Sequence, residues 1–234
     1  MPASDTCWSG TGVSDDHNVS KAAASPNPRR KMTTDGDNMT DIFDANGRVR
    51  NYKKALPVLL RFAGKGFPLA ENLVGYAYSQ GLGGLTRDDE QALHWYSRAA
   101  GHGHVEAMGN LALAYEKGLG TGKNEELAFK WYLKAARTGD AWAQNNVGTM
   151  CLDGVGVRLD PRKGAEWLRK AARNGDAKAH FNLGLAYVEG TCVPRNRPAG
   201  ITHLREAAAL GNRRAVRVLA GLSKSVGRQG RKPD

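Results

Sequence analysis

The sequence has few cysteines and no long hydrophobic segment. The three cysteines among its 234 residues, Cys7, Cys151 and Cys192, are odd in number and far apart, so they imply no framework of disulfide bonds. No segment approaches the roughly 20 consecutive apolar residues that a membrane-spanning helix needs. Residues 1–18 are polar and lack the apolar stretch of a secretory signal peptide. We therefore predict a protein of a reducing compartment, the cytoplasm.

Acidic residues are scarce at the C-terminus. Residues 212–234 contain seven basic residues and one acidic residue, whereas residues 1–50 contain six basic and seven acidic residues. The net charge of the whole chain is +11. A basic tail, residues 223–234, is able to bind nucleic acid or an acidic surface. The other interpretation, which we adopt, is a solvated end that keeps the protein soluble.

Hydrophobic periodicity is absent from residues 1–48. This segment is rich in Ser, Asp, Asn, Gly and Pro, a composition that offers too little apolar surface for folding. We predict that residues 1–48 are disordered.

The rest of the chain contains an internal repeat of about 36 residues. Alanine recurs at this step, at Ala70, Ala107, Ala143, Ala179 and Ala215. Glycines and pairs of alanines keep the same step, and a period of this length indicates stacked supersecondary units. The predicted units lie near residues 70–106, 107–142, 143–178 and 179–214.

Each unit is predicted to form two helices. In the second unit Ala107, Leu111, Ala114 and Tyr115 form an apolar stripe at helical spacing, and Gly118 follows where a left-handed residue ends many helices. A second helix begins at a fixed offset, after a residue that is able to cap its first turn. These capping residues are Asp88, Asn124, Asp160 and Asn196. Neither helix buries its apolar face alone, so the pattern predicts an all-α solenoid of stacked helix pairs.

A half unit is predicted at each end of the array. A lone second helix over residues 51–63 precedes the first full unit, and a lone first helix contains Ala215, so the repeat domain covers residues 51–222. Trp95, Trp131 and Trp167 recur at the period. We interpret them as core aromatics and not as a ligand cage.

The second unit contains a recognisable run of residues. The run is Ala107, Asn110, Leu111, Tyr115 and Gly118, followed by Trp131, Tyr132, Lys134, Ala135, Ala136 and Gly139. It resembles the Sel1-like repeat, a relative of the tetratricopeptide repeat. The resemblance implies a right-handed superhelical solenoid that serves as a scaffold or regulatory adaptor for a partner protein. A cysteine-rich branch of the family, with a disulfide in each repeat, is linked to penicillin binding, but the paired cysteines are missing here.

The first helices of such a superhelix line its concave face. Counting from the leading alanine as position 0, the helical register directs positions 3, 6 and 10 toward this groove. Position 3 is Asn110, Asn146 and Asn182, with Leu73 in the first unit. An amide offers both donors and an acceptor to a peptide backbone, and the resemblance to the tetratricopeptide family implies that role. The alternative is that each asparagine bridges turns of its own solenoid.

The other two positions supply apolar and charged groups. Position 6 is Tyr76, Leu113, Thr149 and Leu185. Position 10 is Gln80, Lys117, Asp153 and Glu189. We predict that the groove binds a protein or peptide with apolar anchors and opposed charges at its ends.

No residue pattern of an enzyme, a metal site or a cofactor site stands out. Residues 118–123 are rich in glycine but lack the spacing of a phosphate-binding loop, with Lys117 and Asn124 at two required positions. His102 and His104 have no third ligand nearby in sequence. We predict no catalytic residue, metal or cofactor, and a protein that is not an enzyme. The alternative function is binding of nucleic acid or an acidic surface through the tail, and β-lactamase-like activity comes third.

Overall fold

The computed structural model describes residues 42–44 and 47–229, with side chains as far as residue 223. This part of the chain forms ten α-helices and no β-strand, beyond an isolated bridge between Phe43 and Val49. The helices are α1 (Tyr52–Gly64), α2 (Pro68–Gln80), α3 (Asp89–Gly101), α4 (Val105–Lys117), α5 (Glu125–Arg137), α6 (Ala141–Asp153), α7 (Pro161–Arg173), α8 (Ala177–Glu189), α9 (Arg197–Ala209) and α10 (Arg213–Gln229). The predicted all-α repeat fold is confirmed.

The helices form two compact units, and the boundary between the units lies inside α5. The N-terminal unit contains residues 42–44 and 47–131, and the C-terminal unit contains residues 132–229. We call α2, α4, α6, α8 and α10 the A helices and the other five the B helices. Each predicted repeat is an A helix followed by a B helix. Within the described ranges no helix is long and apolar enough to cross a membrane.

Local sequence sets the ends of the helices. Each predicted cap of a B helix accepts a hydrogen bond from the backbone N–H three residues later, at 2.9 to 3.1 Å. These caps are Asp88, Asn124, Asp160 and Asn196. The A helices α2, α4, α6 and α8 end at glycines with φ between 65° and 76°, a conformation that favours glycine. These are Gly81, Gly118, Gly154 and Gly190.

Gly120 explains the glycine-rich loop of residues 118–123. Its φ is +67°, and a Cβ at this position would collide with the backbone carbonyl of Asp89, the first residue of α3. The loop is therefore a packing element between successive repeats of the N-terminal unit, where a side chain has no room.

The core of each B helix combines small and large side chains. Every B helix from α3 to α9 has an alanine pair next to one large residue, which is 6% exposed or less. Both alanines are buried in α3, α5 and α7, whereas in α9 Ala207 is buried and Ala208 is half-buried. The large residues are Tyr96, Tyr132, Leu168 and Leu204. Of the three recurring tryptophans, Trp167 is buried, whereas Trp95 and Trp131 are half-buried. Trp95 and Trp131 lie at the edge of the core, because the helical register directs the residue that follows each tryptophan to the centre of the core.

Glycines bring the A and B helices of the C-terminal unit into direct contact. A Cβ on Gly164 of α7 would lie 2.8 Å from the carbonyl oxygen of Gly148 in α6, and Gly200 of α9 has the same relation to Gly184 of α8. At that distance a Cβ and a backbone oxygen overlap, so the two backbones approach closely only because both residues lack side chains.

The predicted disorder of residues 1–48 is wrong at its C-terminal end. Ile42 and Phe43 are 8% and 6% exposed and pack in one cluster with Leu59 of α1. The Asp44 N–H donates to the Arg48 carbonyl at 2.8 Å, which closes the turn before α1. Two adjacent apolar residues are too few to produce a detectable period. Residues 1–41 and 45–46 lie outside the described residues.

The C-terminal boundary also differs from the prediction. Helix α10 continues to Gln229, seven residues past the predicted end of the repeat domain at 222. No proline lies between Pro198 and Pro233, so the sequence just after residue 222 contains no strong signal that ends a helix. The side chains of the predicted basic tail from residue 224 onward lie outside the described part.

Candidate protein-binding surface

Three positions stay accessible in each of α2, α4, α6 and α8, and we call the residues at these positions the accessible strip of their unit. Positions 4, 5 and 7 from the leading alanine are buried in all of α2, α4, α6 and α8, whereas positions 3 and 6 are half-buried and position 10 is exposed. The strip consists of Leu73, Tyr76, Gln80, Asn110, Leu113, Lys117, Asn146, Thr149, Asp153, Asn182, Leu185 and Glu189. The predicted helical register therefore matches the observed accessibility.

Asn110 connects two repeats of the N-terminal unit. Its side-chain Nδ2 donates a hydrogen bond to Oδ1 of Asn72, at position 2 of α2, over 3.1 Å. Asn72 is only 1% exposed, so this bond satisfies a buried acceptor. It uses one of the two N–H groups of Asn110.

Asn182 makes the same connection in the C-terminal unit. Its Nδ2 donates to Oδ1 of Asn145 over 3.1 Å, and Asn145 is 4% exposed. The alternative that the sequence left open, an asparagine bridging its own repeats, therefore holds for Asn110 and Asn182.

Asn146 differs from the other two asparagines at position 3. Its Nδ2 is buried and has no hydrogen-bond partner among the residues that the structure describes. The acceptors of the two bridges, Asn72 and Asn145, occupy position 2 of their repeats, and position 2 of the intervening repeat is Gly109. Gly109 has no side chain, so the sequence provides no amide oxygen at position 2 of that repeat to accept a bond from Asn146.

The strip of the N-terminal unit combines an aromatic, an aliphatic and a cationic group. The ring of Tyr76 lies 6.1 Å from that of Tyr52, centroid to centroid. Leu113 is half-buried, and the exposed Lys117 forms an ion pair with its neighbour Glu116 at 2.6 Å. An exposed pair of this kind contributes little to stability, about 0–1 kcal/mol, so Lys117 remains able to pair with another anion.

The strip of the C-terminal unit is more polar and acidic. The Thr149 hydroxyl donates to the carbonyl of Asn146 at 3.0 Å, and Leu185 packs against the core cluster of α8, α9 and α10. Asp153 and Glu189 are exposed. Surrounding protein still removes part of the hydration of the Asp153 carboxylate, which raises its pKa to about 6.

A set of buried polar bridges at positions 1 and 2 escaped the sequence analysis. Glu71 is fully buried and contacts Arg98 at 3.0 Å and His102 at 2.8 Å. In the C-terminal unit Gln144, 5% exposed, accepts a hydrogen bond from Asn174 at 2.9 Å. The sequence did contain a sign of these bridges. Polar residues directly follow the leading alanine of a repeat, at positions that become buried when the next repeat packs on it.

The two histidines considered as metal ligands each contact a helix end. His102 is the C-cap of α3 and bonds to Glu71, and His104 is the N-cap of α4, where its Nδ1 accepts from the Ala107 N–H at 3.3 Å. Burial lowers the pKa of His104 to about 4. Across the described residues there is no group of three or more His, Cys, Asp or Glu placed to hold a metal ion.

A known family matches most of the repeat domain. The sequence profile described as Sel1 repeat matches residues 68–104, 105–140, 143–176 and 177–212. The four segments begin within two residues of the starts of α2, α4, α6 and α8 and together cover more than half of the chain. No curated protein matches the sequence.

Solved structures resemble the chain in sequence and fold. A Sel1 repeat protein from Oxalobacter formigenes is 35% identical over 73% of this chain and 67% of that one, with a TM-score of 0.68. The protein c5321, a protective antigen of uropathogenic Escherichia coli with an SLR fold, is 36% identical over 68% of this chain, with a TM-score of 0.66. This chain covers 34% of that protein.

A third likeness concerns the fold alone. The immunity protein Pa5087 from Pseudomonas aeruginosa is 18% identical, with a TM-score of 0.52 over 82% of this chain and 69% of that one. The four matched segments and the two structures above 30% identity agree on the same repeat. The chain belongs to the Sel1 repeat family.

Proposed function

We propose that this chain is a protein-interaction scaffold, not an enzyme, and that the accessible strip binds an extended segment of a partner protein. Sel1-repeat proteins are generally protein-interaction scaffolds. A repeat array suits this role because it presents equivalent side chains at regular intervals to an extended chain. A cytoplasmic location stays a prediction from the sequence.

The observation that carries the proposal is the graded accessibility of the A helices. Positions 3, 6 and 10 remain accessible in all four helices from α2 to α8, although positions 4, 5 and 7 are buried in each. Tyr76, Leu113 and Leu185 offer apolar contacts next to polar and charged groups. A strip that is partly apolar and partly charged supplies both affinity and orientation to a bound segment.

The charge of position 10 changes along the chain from Lys117 to Asp153 and Glu189. We therefore expect a segment bound to the N-terminal unit to carry an acidic residue opposite Lys117, and a segment bound to the C-terminal unit to carry a basic residue opposite Asp153 or Glu189. The asparagines play a smaller part than the sequence predicts, because Asn110 and Asn182 each use one N–H in a bridge between repeats.

The experiment first identifies which surface of the chain contacts the partner, and then measures how substitutions on that surface change the affinity. A photo-crosslinking amino acid is placed at Gln80 or Glu189 on the strip, and at Lys130 or Glu166, which are exposed on B helices, as controls. A partner that crosslinks from the strip positions and not from the controls is then used in affinity measurements. The double variant Lys117→Glu, Glu189→Lys is compared with the control Lys130→Glu, Glu166→Lys.

We expect the strip variant to weaken binding of that partner by on the order of tenfold, as for charge pairs at an interface, and the control to leave it unchanged. Both variants keep the net charge of the chain. Crosslinking from the control positions alone, or equal affinity of the two double variants, rules out the strip as the binding surface.

A further inference from the structure

At the starts of the B helices α3 and α5, a basic residue of the preceding loop contacts an acidic residue of the first helical turn. In α3 the guanidinium of Arg87 contacts the carboxylate of Asp89 through two hydrogen bonds, at 3.1 and 2.9 Å. In α5 the ammonium of Lys123 contacts Glu125 at 2.5 Å. A second acidic residue follows each of these carboxylates. Acidic side chains in the first turn are favourable there, since the N-terminus of a helix carries partial positive charge.

The start of α7 reverses this arrangement. The cap is retained as Asp160, but Leu159 replaces the loop cation and Pro161 replaces the first carboxylate. Arg162 and Lys163 follow, so the first turn is basic where α3 and α5 are acidic. Cations at a helix N-terminus are unfavourable, by about 0.3–1 kcal/mol each. These two side chains therefore do not serve the stability of α7.

A cleft lies at this point of the C-terminal unit, and we call it the α7 cleft. Its volume is about 630 Å³, and both charged and apolar side chains line it. They include Arg158, Arg162, Lys163, Val157, Leu159 and Cys192. Two loops of successive repeats meet here, since Leu159 precedes α7 and Cys192 follows α8.

The cations of the α7 cleft are not neutralised by the protein. Within the described part of the chain, Arg158, Arg162 and Lys163 form neither an ion pair nor a side-chain hydrogen bond. The carboxylate that lines the cleft, Asp160, accepts the N–H of Lys163 at 3.0 Å as the helix cap. Cys151 adds no negative charge, because burial raises the pKa of its thiol. The cleft therefore has a surplus of positive charge.

We propose that the α7 cleft binds an acidic segment of a partner protein, in which a carboxylate lies beside an aliphatic side chain. Arginine matches a carboxylate through two parallel hydrogen bonds. Leu159, with 50% of its surface exposed, and Val157 provide the apolar contact. Single-stranded nucleic acids are bound by aromatic side chains that stack on the bases, and the lining of the cleft contains none. The cleft is separate from the accessible strip and does not depend on it.

The test is a selection of random peptides displayed on phage against the intact chain. Peptides that also bind the cleft variant, Arg158→Glu, Arg162→Glu, Lys163→Glu, are removed in each round. The affinities of the enriched peptides, and of a single-stranded oligodeoxynucleotide, are then measured with three variants. The first is the cleft variant, and the second replaces the same three residues by glutamine. The third is a charge-matched control, Arg173→Glu, Arg205→Glu, Arg217→Glu, at exposed residues outside the cleft.

We expect the enriched peptides to share a glutamate or aspartate next to leucine, isoleucine or valine. The glutamate and glutamine variants lower their affinity by on the order of tenfold or more, and the control lowers it less than about threefold. Both cleft variants have a melting temperature equal to or higher than that of the wild type, because the substitutions remove unfavourable cations from a helix N-terminus.

Four outcomes overturn the proposal. The selection yields no peptide specific for the wild type, or the enriched peptides lack an acidic residue. The control lowers the affinity as much as the cleft variant, which assigns the effect to total charge. Only the oligodeoxynucleotide responds to the cleft variants, which assigns the cleft to nucleic acid.

Discussion

The guanidinium of Arg98 lies 3.0 Å from a carboxylate oxygen of Glu71, and the two side chains differ in exposure, 36% for Arg98 and none for Glu71. His102, 48% exposed, contacts the other oxygen of the same carboxylate. Of this contact, only the Glu71 carboxylate is buried, whereas Arg98 and His102 are partly exposed to water. Loss of Arg98 leaves the buried carboxylate of Glu71 without its cation, whereas loss of Glu71 leaves the side chains of Arg98 and His102, which water is able to solvate.

This asymmetry predicts different results for the two halves of the pair. We expect Arg98→Met to lower the free energy of unfolding by about 3 kcal/mol, as for a buried pair that loses one member. Arg98 also donates to the Ala63 carbonyl, which adds to the loss. Glu71→Met should change it by less than about 1 kcal/mol, since Met108 occupies the same position in the next repeat. Urea unfolding at neutral pH measures both, and equal losses contradict the argument.

The bridging asparagines should matter for stability, and Asn146 should not. Asn110→Ala and Asn182→Ala each leave the buried oxygen of Asn72 or Asn145 without its donor, which costs about 1–3 kcal/mol. Asn146→Ala removes a buried N–H group that has no partner within the described residues, so we expect a change within about 0.5 kcal/mol. The free energies of unfolding of the three variants in urea test this order. An equal loss in all three excludes a bridging role for Asn110 and Asn182.

Gly164→Ala should destabilise the C-terminal unit although alanine is the better helix former. The added methyl would lie 2.8 Å from the carbonyl oxygen of Gly148 and collide with Leu152, and overpacking of this kind costs about 1–3 kcal/mol. Gly221→Ala in α10 is the matched control, because a Cβ there meets nothing within 4 Å. It should stabilise the helix by about 0.5–1 kcal/mol. Thermal melts followed by circular dichroism should shift in opposite directions for the two variants.

His104 should make the fold sensitive to acid. Its pKa is lowered to about 4 by burial, against about 6.5 in an unfolded chain. Between these two values the unfolded state binds a proton that the folded state does not, so stability falls as the pH is lowered from about 6.5 to about 4. The total loss is on the order of 3 kcal/mol, and protonation also removes the lone pair that caps α4.

His104→Asn is the variant that tests this acid sensitivity. Asparagine cannot titrate, and Asn212 caps α10 at the equivalent position, where its Oδ1 accepts from the Ala215 N–H at 3.1 Å. Unfolding free energies at pH 7.5 and pH 5 should differ less in His104→Asn than in the wild type. If the two proteins show the same difference, His104 is not the group responsible.

Much of this fold was predictable because its signals are local. The caps Asp88 and Asp160 and the terminating glycines Gly118 and Gly154 act within a few residues of their own helix. The period of about 36 residues identified the repeat, and the helical register identified which positions of the A helices stay accessible. The disordered segment was placed too far along the chain because Ile42 and Phe43 show their role only against α1.

The candidate site was predictable in outline and not in detail. A residue's position on a helix face follows from its spacing along that helix, so the accessible strip could be derived from Ala70, Ala107 and their equivalents. The function of Asn110 could not, because its partner Asn72 lies on a different helix. The distance between these two amides is set by the packing of the whole N-terminal unit.

Helix boundaries, the repeat and the accessible face follow from the order of residues, since capping and helical period involve neighbours along the chain. The bridges of Asn110 and Asn182, the contact of Arg98 with the buried Glu71, and the meeting of Gly148 with Gly164 join residues from different helices. The α7 cleft likewise combines two loops of successive repeats. Such contacts arise only when the helices are packed, because hydrogen bonds, ion pairs and steric contacts depend on distances that local sequence does not specify.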